Sequence, residues 1–275
     1  MNDIPSDKII KLKFKGRCRA LCQNPLEFPV QPNDMMVISA DRGEEIGCAL
    51  PPVSSNTIPT EGVELPTILR KATPHDISHN NENRLRERMA LDFCSLKVTE
   101  LNLPMKLVDV DLRLDRKKII FFFTAEDRID FRELVKLLAA EYKTRIEMRQ
   151  ISGREEMKRA DGIGPCGLRL CCAGFIDDFD PISTQLVKEQ NLPMNPAKIS
   201  GCCGKLKCCY RYEHDLYEET LKNYPPYGSR VQVAEKTGVL EKIDIFARTM
   251  TIRYDDNQCE DFALSDFAQK ITVIP

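Results

Sequence analysis

One pattern written twice constrains this chain more than anything else in it. Gly164 to Cys172 reads GPCGLRLCC and Gly201 to Cys209 reads GCCGKLKCC, both of the form G-x-C-G-x-x-x-C-C. A thiolate is a soft, anionic ligand for zinc or for the iron of an iron–sulfur cluster. A knuckle needs two such ligands close in sequence, on a turn whose backbone amides can point at sulfur, and glycine supplies turns of that kind because it tolerates positive φ. The repeat therefore predicts a metal site made of two half-sites. Its six matched thiols are Cys166, Cys171 and Cys172 in the first copy and Cys203, Cys208 and Cys209 in the second; Cys202 is extra and stands where the first copy has Pro165.

Six thiols do not divide into the four that a structural zinc or a cubane takes. Adjacent side chains diverge in a helix or a strand, so both members of a Cys-Cys pair seldom reach one metal. Two solutions stay open. One intramolecular site could take two thiols from each copy, such as Cys166, Cys171, Cys203 and Cys208. Alternatively, incomplete sets are completed by a second protein. A plainer alternative is a pair of zinc knuckles that only stiffens a loop-rich region, since thiolate-only sets suit zinc as well as iron. His214 is a candidate nitrogen ligand, although a lone histidine is more often solvated or hydrogen-bonded elsewhere. Arg169, Lys205, Lys207 and Arg211 put positive charge beside the thiols, which would offset a thiolate cluster.

The remaining cysteines do not suggest a disulfide scaffold, because such scaffolds are short and cysteine-dense throughout, whereas seven of these twelve fall between Gly162 and Tyr212 of a 275-residue chain. The N-terminal residues lack an apolar run behind a basic start, and the most apolar later stretch, Ile119 to Phe123, is too short to span a bilayer. A cytoplasmic protein without membrane insertion is expected. A net charge of -2 gives no global attraction to nucleic acid.

Hydrophobic periodicity predicts an α+β fold: a mostly antiparallel sheet with helices on one face, a Cys-rich insert, and small barrel-like β segments on either side. Residues 1–50 read as a β module, with Cys18, Cys22 and Cys48 in or beside strands. Residues 51–81 read as an exposed connection holding a strand near 65–69, with His75 and His79 in the loop. An α+β domain follows over 60–152. Its first helix, Asn83 to Leu101, is expected to bury Leu85, Met89, Phe93 and Leu96. A hairpin then pairs Lys106 to Leu114 with Lys118 to Thr124, and Asp127 to Tyr142 (helix) and Lys143 to Ile151 (strand) complete the domain. Residues 153–215 form the Cys-rich twin-knuckle region, with a helix expected near Leu216 to Lys222 just after it. Residues 228–275 form a small open barrel with a turn at Gly238. No nucleophile, phosphate loop or carboxylate pair stands out, so no catalytic residue is expected.

Several blocks together resemble a known family. They are Asp161 to Cys172, Lys198 to Cys209, MKLVDV from Met105, FFFTAEDRIDFRELVKLLA from Phe121, TRIEMRQI from Thr144, NPAKISG from Asn195 and LRKAT from Leu69. Over roughly residues 60–215 the chain is similar to the bacterial YaaT/RicT family, of the polymerase-suppressor C-terminal domain type. The resemblance implies a non-enzymatic regulatory subunit that holds an iron–sulfur cluster, 4Fe–4S in type, on the six matched cysteines. It further implies two small helical partners, RicA-like and RicF-like, and an influence on mRNA processing by an RNase Y-type endoribonuclease and on development. RNA contact would then be indirect. The competing reading is a self-contained structural-zinc protein that binds RNA itself. Thiol–disulfide exchange lacks its C-x-x-C spacing.

Overall fold

The structure, a computed structural model, describes residues 9–40, 43–51, 65–177 and 179–274. The fold is α+β and divides into two compact units, Met1–Asp177 and Asp178–Pro275. The cysteine region is thereby split, with the first knuckle in the first unit and the second knuckle in the second.

In the first unit, β1 (Ile9–Lys13), β2 (Arg19–Gln23), β3 (Met35–Ala40), β4 (Gly43–Ala49) and β5 (Thr67–Lys71) close into a barrel in the order β1-β2-β5-β3-β4. Alternation along each strand sends Leu12, Cys22, Met36, Ile38, Ala49 and Ile68 inward. Burial pushes the Cys22 thiol up to about 12, so it behaves as a small apolar side chain. The strand expected near 65–69 is β5, which lies parallel to β2 through Gln23 and Thr67. Residues 52–64 of the expected connection lie outside the described residues.

The rest of that connection is helix. α1 runs Pro74–Glu100, beginning nine residues before its expected start at Asn83, because Thr73 and Asp76 form a reciprocal capping box with Pro74 in the first turn. His75 and His79, expected in a loop, stack on α1 with ring centroids 6.1 Å apart. Arg70 holds the Asp76 carboxyl well below the usual carboxylate range, with Thr73 adding to the effect. A depressed folded-state pKa contributes stability above the unfolded value, and that contribution is lost as pH falls through the folded one. Asp76→Asn should therefore cost about 1–2 kcal/mol near neutral pH, as caps do. The difference should shrink toward zero in urea titrations below about pH 4, where the unfolded carboxyl protonates. A difference that does not change with pH would show that Asp76 acts only through its shape.

The buried face of α1 is only partly the expected one: Phe93 packs against the core as expected. Leu85, Met89 and Leu96 are 61%, 70% and 56% exposed, while Asn83, Glu87, Ala90, Cys94 and Val98 face inward. Small Ala90 and Cys94 let the helix settle on the sheet, and the two polar residues are satisfied there. Glu87 accepts hydrogen bonds from the Leu112 amide (2.9 Å), Arg84 (3.0 Å) and Lys15 Nζ (2.8 Å). Asn83 donates to the Arg113 carbonyl and accepts from Arg116.

The sheet has the order β6 (Lys106–Leu112), β7 (Lys118–Thr124), β8 (Arg145–Gln150); the first pair is antiparallel and the second parallel, with α2 (Arg132–Tyr142) connecting β7 to β8. β7 is buried on both faces, so Ile119 and Phe121 pack with α1 and α2 while Ile120 and Phe122 pack with Ile151 on the other side. A capping box of Ser152 and Glu155 starts α3 (Gly153–Ala160), which leads to the first knuckle and a single turn, α4 (Cys171–Gly174).

The second unit begins with α5 (Thr184–Glu189), α6 (Pro196–Ile199) and α7 (Cys209–Leu221) around Val187, Ile199 and Tyr210. The helix expected at 216–222 thus starts at the second Cys-Cys pair. β9 (Arg230–Val233), β10 (Lys236–Asp244), β11 (Thr249–Tyr254), β12 (Cys259–Ala263) and β13 (Ile271–Val273) form a sheet in the order β12-β11-β10-β9-β13, with the single turn α8 (Phe267–Lys270) before β13. Gly238, expected at a turn, lies inside β10. A Cβ there would stand 2.7 Å from the Arg253 carbonyl oxygen, so close strand approach explains the glycine. The turn itself falls just before β10, where Ala234 takes a φ of +52°.

Candidate metal centre

The sequence repeat is also a repeat of backbone hydrogen bonds. In the first knuckle the Gly164 amide donates to the Leu168 carbonyl (2.7 Å), Gly167 to Gly164 (3.0 Å) and Leu170 to Gly162 (3.0 Å). In the second, Gly201 donates to Lys205 (2.8 Å), Gly204 to Gly201 (3.0 Å) and Lys207 to Ile199 (3.0 Å). Isolated bridges pair Ile163 with Arg169 and Ser200 with Leu206 at the same places. The left-handed residue is the second glycine of each motif, Gly167 at φ +79° and Gly204 at φ +72°. The first glycine has a different use. Cys166 Sγ and Cys203 Sγ each lie 3.5 Å from where a Cβ of Gly164 or Gly201 would stand, so both thiols fold back over their turns.

The eighth motif position also repeats. Cys171 opens α4 and Cys208 precedes the first residue of α7, and neither helix start has a side-chain cap. The last cysteine of each motif turns inward. Cys172 is 5% exposed, and Cys209 packs against the Val187, Ile199 and Tyr210 cluster, where burial foremost raises its thiol pKa. Cys166 and Cys202 are exposed, and Cys171, Cys203, Cys208 and Cys209 are half-buried. Among the described residues, no three His, Cys, Asp or Glu side chains gather closely enough to hold a metal ion. The donors are thiols, the ligand type that zinc and iron–sulfur iron take.

Stage 0 sporulation protein YaaT of Bacillus subtilis (strain 168) is 40% identical over 246 residues, which cover 89% of each chain. This chain belongs to the YaaT/PSP1 family. Its residues 66–151 match the PSP1 C-terminal conserved region and residues 181–224 the third domain of PSP1-like proteins. Uncharacterized protein PB7E8.02 of Schizosaccharomyces pombe is 34% identical over 44% of this chain and 20% of its own length. Protein PSP1 of Saccharomyces cerevisiae is 30% identical over 29% of this chain and 13% of its own length. No solved structure matches significantly.

In this PSP1-family chain the first matched region runs from β5 through β8, and the second contains α5, α6, the second knuckle and α7. Two of the four charges that the sequence placed beside the thiols are engaged with carboxylates. Arg169 forms two bonds to Asp161 (2.9 and 2.6 Å), and Arg211 pairs with Asp215 (2.9 Å) and Asp180 (3.6 Å). Asp161, which sequence reading passed over, ends α3 at φ +60° and also takes Arg17 of the barrel (3.0 Å). Arg169 foremost holds its carboxyl well below the usual range. Arg19 of β2 pins the far side of the first knuckle through the Gly174 carbonyl and Asp177. His214 follows Cys209 by five helical residues, which turns it about 140° around the axis. Its Nε2 faces Glu189 at 3.7 Å instead.

Proposed function

We propose that this chain is a non-enzymatic regulatory scaffold that shares an iron–sulfur cluster with partner subunits and modulates mRNA processing by an endoribonuclease. The duplicated knuckle carries the reading: the same hydrogen bonds, made twice, offer two accessible thiols and turn a third inward. On this reading Cys166, Cys171, Cys203 and Cys208 are the ligands, and Cys172 and Cys209 anchor the knuckles to their cores. Two thiols are half of what a cubane takes, so each half-site calls for thiolates from elsewhere. When bound, the cluster would supply an oxygen- and redox-sensitive joint.

An apolar rim supports partner docking. Ile163, Leu168 and Phe175 around the first knuckle are 66%, 71% and 53% exposed, and Tyr212 after the second is 64% exposed. Large apolar side chains exposed on each knuckle are surface for a partner to cover. Small helical subunits, RicA-like and RicF-like, and an RNase Y-type enzyme are the partners that the family resemblance implies. The name of the Bacillus relative supports a role in development. No helix among the described residues is long and apolar enough to cross a membrane, and the complex is proposed to work in the cytoplasm. The zinc-and-RNA alternative is less favoured, since Arg169 and Arg211 of its basic loop are tied to carboxylates.

The test is anaerobic purification from the native cell, with an absorption spectrum and iron, sulfide and zinc analysis of the chain and its co-eluting proteins. Brown protein with iron, sulfide and small co-eluting subunits is expected. Colourless protein carrying stoichiometric zinc and no partner would overturn the proposal.

A further inference from the structure

The second unit holds a cavity of about 440 Å³ that the thiols do not use. Its walls include Tyr217 on α7 and Tyr224 and Tyr227 in the segment after it. Pro225 and Pro226 stiffen the backbone between the last two. Two of these rings have an aromatic neighbour, Tyr217 edge-on to Phe246 (5.7 Å between centroids) and Tyr224 edge-on to Phe267 (5.5 Å). The cavity thus presents three aromatic rings.

Its polar groups point to one sign of charge. Glu189 and Glu218 line it, and no lysine or arginine does. Lys222 reaches Glu218 at 3.4 Å, and Gln185 and His214 reach Glu189, so each carboxylate is oriented by a neighbour. Beyond the lining residues, Glu213 and Asp244 add to burial in pushing the Tyr217 hydroxyl up to about 12, a sign of negative surroundings. Phosphates and carboxylates would be repelled. Two lining residues, His214 through Nδ1 and Tyr227 through Oη, carry buried polar atoms with no hydrogen-bond partner among the described groups. Buried polar atoms in folded proteins nearly always have one.

We infer that this cavity binds a guanidinium group, stacked on the tyrosines and donating to Glu189 and Glu218. A planar guanidinium carries five N–H donors and a delocalised charge that lies well on aromatic faces, whereas an ammonium needs a point contact. The same chemistry comes from an arginine side chain of a partner protein or from a small guanidino compound.

Calorimetric titration of the full chain distinguishes these sources. The probes are acetyl-Gly-Arg-Gly-amide and agmatine, with acetyl-Gly-Glu-Gly-amide and AMP as anionic controls. Saturable binding of a guanidinium probe is expected, weakened about tenfold or more by Glu189→Gln with Glu218→Gln, because the charged partners of the cation are removed. Tyr227→Phe, which keeps the ring, should weaken it about threefold or more by deleting one hydrogen bond. Tighter binding of the peptide than of agmatine assigns the site to a protein arginine; equal or tighter agmatine binding assigns it to a metabolite. Absence of saturable guanidinium binding, tighter binding of AMP, or undiminished binding in both variants would overturn the inference.

Discussion

Cys203→Ser, purified anaerobically with its partners, should keep less than about a tenth of the wild-type iron and lose the co-eluting subunits, since a cubane short of a protein ligand is not retained. Cys166→Ser, Cys171→Ser and Cys208→Ser should do the same. Cys202→Ser should keep its iron, because Cys202 has no counterpart in the first copy, where Pro165 stands. Cys172→Ser should instead cost about 1–3 kcal/mol of stability, by placing a hydroxyl where the side chain is 5% exposed. Cys209→Ser should show the same kind of effect to a smaller degree. Metal analysis and thermal unfolding on one set of proteins separate these outcomes. Iron loss in Cys202→Ser as complete as in Cys203→Ser would mean that the repeat has been aligned on the wrong thiols. Iron loss in Cys172→Ser and Cys209→Ser at unchanged stability would restore all six as ligands.

Glu87→Ala should destabilise the first unit by about 3–5 kcal/mol, the range for breaking a buried ion pair from one side. Its carboxylate, 3% exposed, receives Lys15 from beside the barrel, Arg84 from its own helix and the Leu112 amide from β6. Removal leaves Lys15 with Asp109 at 2.8 Å but strands the Leu112 amide. The contrasting variant is Leu85→Ser with Met89→Gln, on the outward face, which should change stability by no more than about 0.5 kcal/mol. Urea unfolding measures both. If the outward pair costs more than Glu87→Ala, α1 is turned the other way.

These two results bear on different scales of information. The knuckles were legible in the sequence because every bond that shapes them lies within nine residues, from Gly162 to Leu170 and from Ile199 to Lys207. The hairpin of β6 and β7 and the burial of β7 were legible for the same reason, through a short turn and an unbroken apolar run. The start of α1 was also present in the letters, as Thr73-Pro74 followed by Asp76, but the polar composition of 51–81 masked it.

The orientation of α1 was not legible. Apolar spacing alone favours Leu85, Met89 and Leu96 for the core, and only Lys15, 72 residues from Glu87 in sequence, together with the β6 amide, makes the Asn83–Glu87 face the better one to bury. Within each Cys-Cys pair the two letters are identical, and nothing local says which thiol turns inward. For Cys209 that is decided by the cluster of Val187, Ile199 and Tyr210. The sequence by itself determined that there would be two equivalent thiol turns in an α+β chain, because short-range hydrogen bonds and glycine conformations suffice to form them. The tertiary structure alone decided which thiols remain accessible and which face of α1 is core, because burial depends on partners that are distant in sequence.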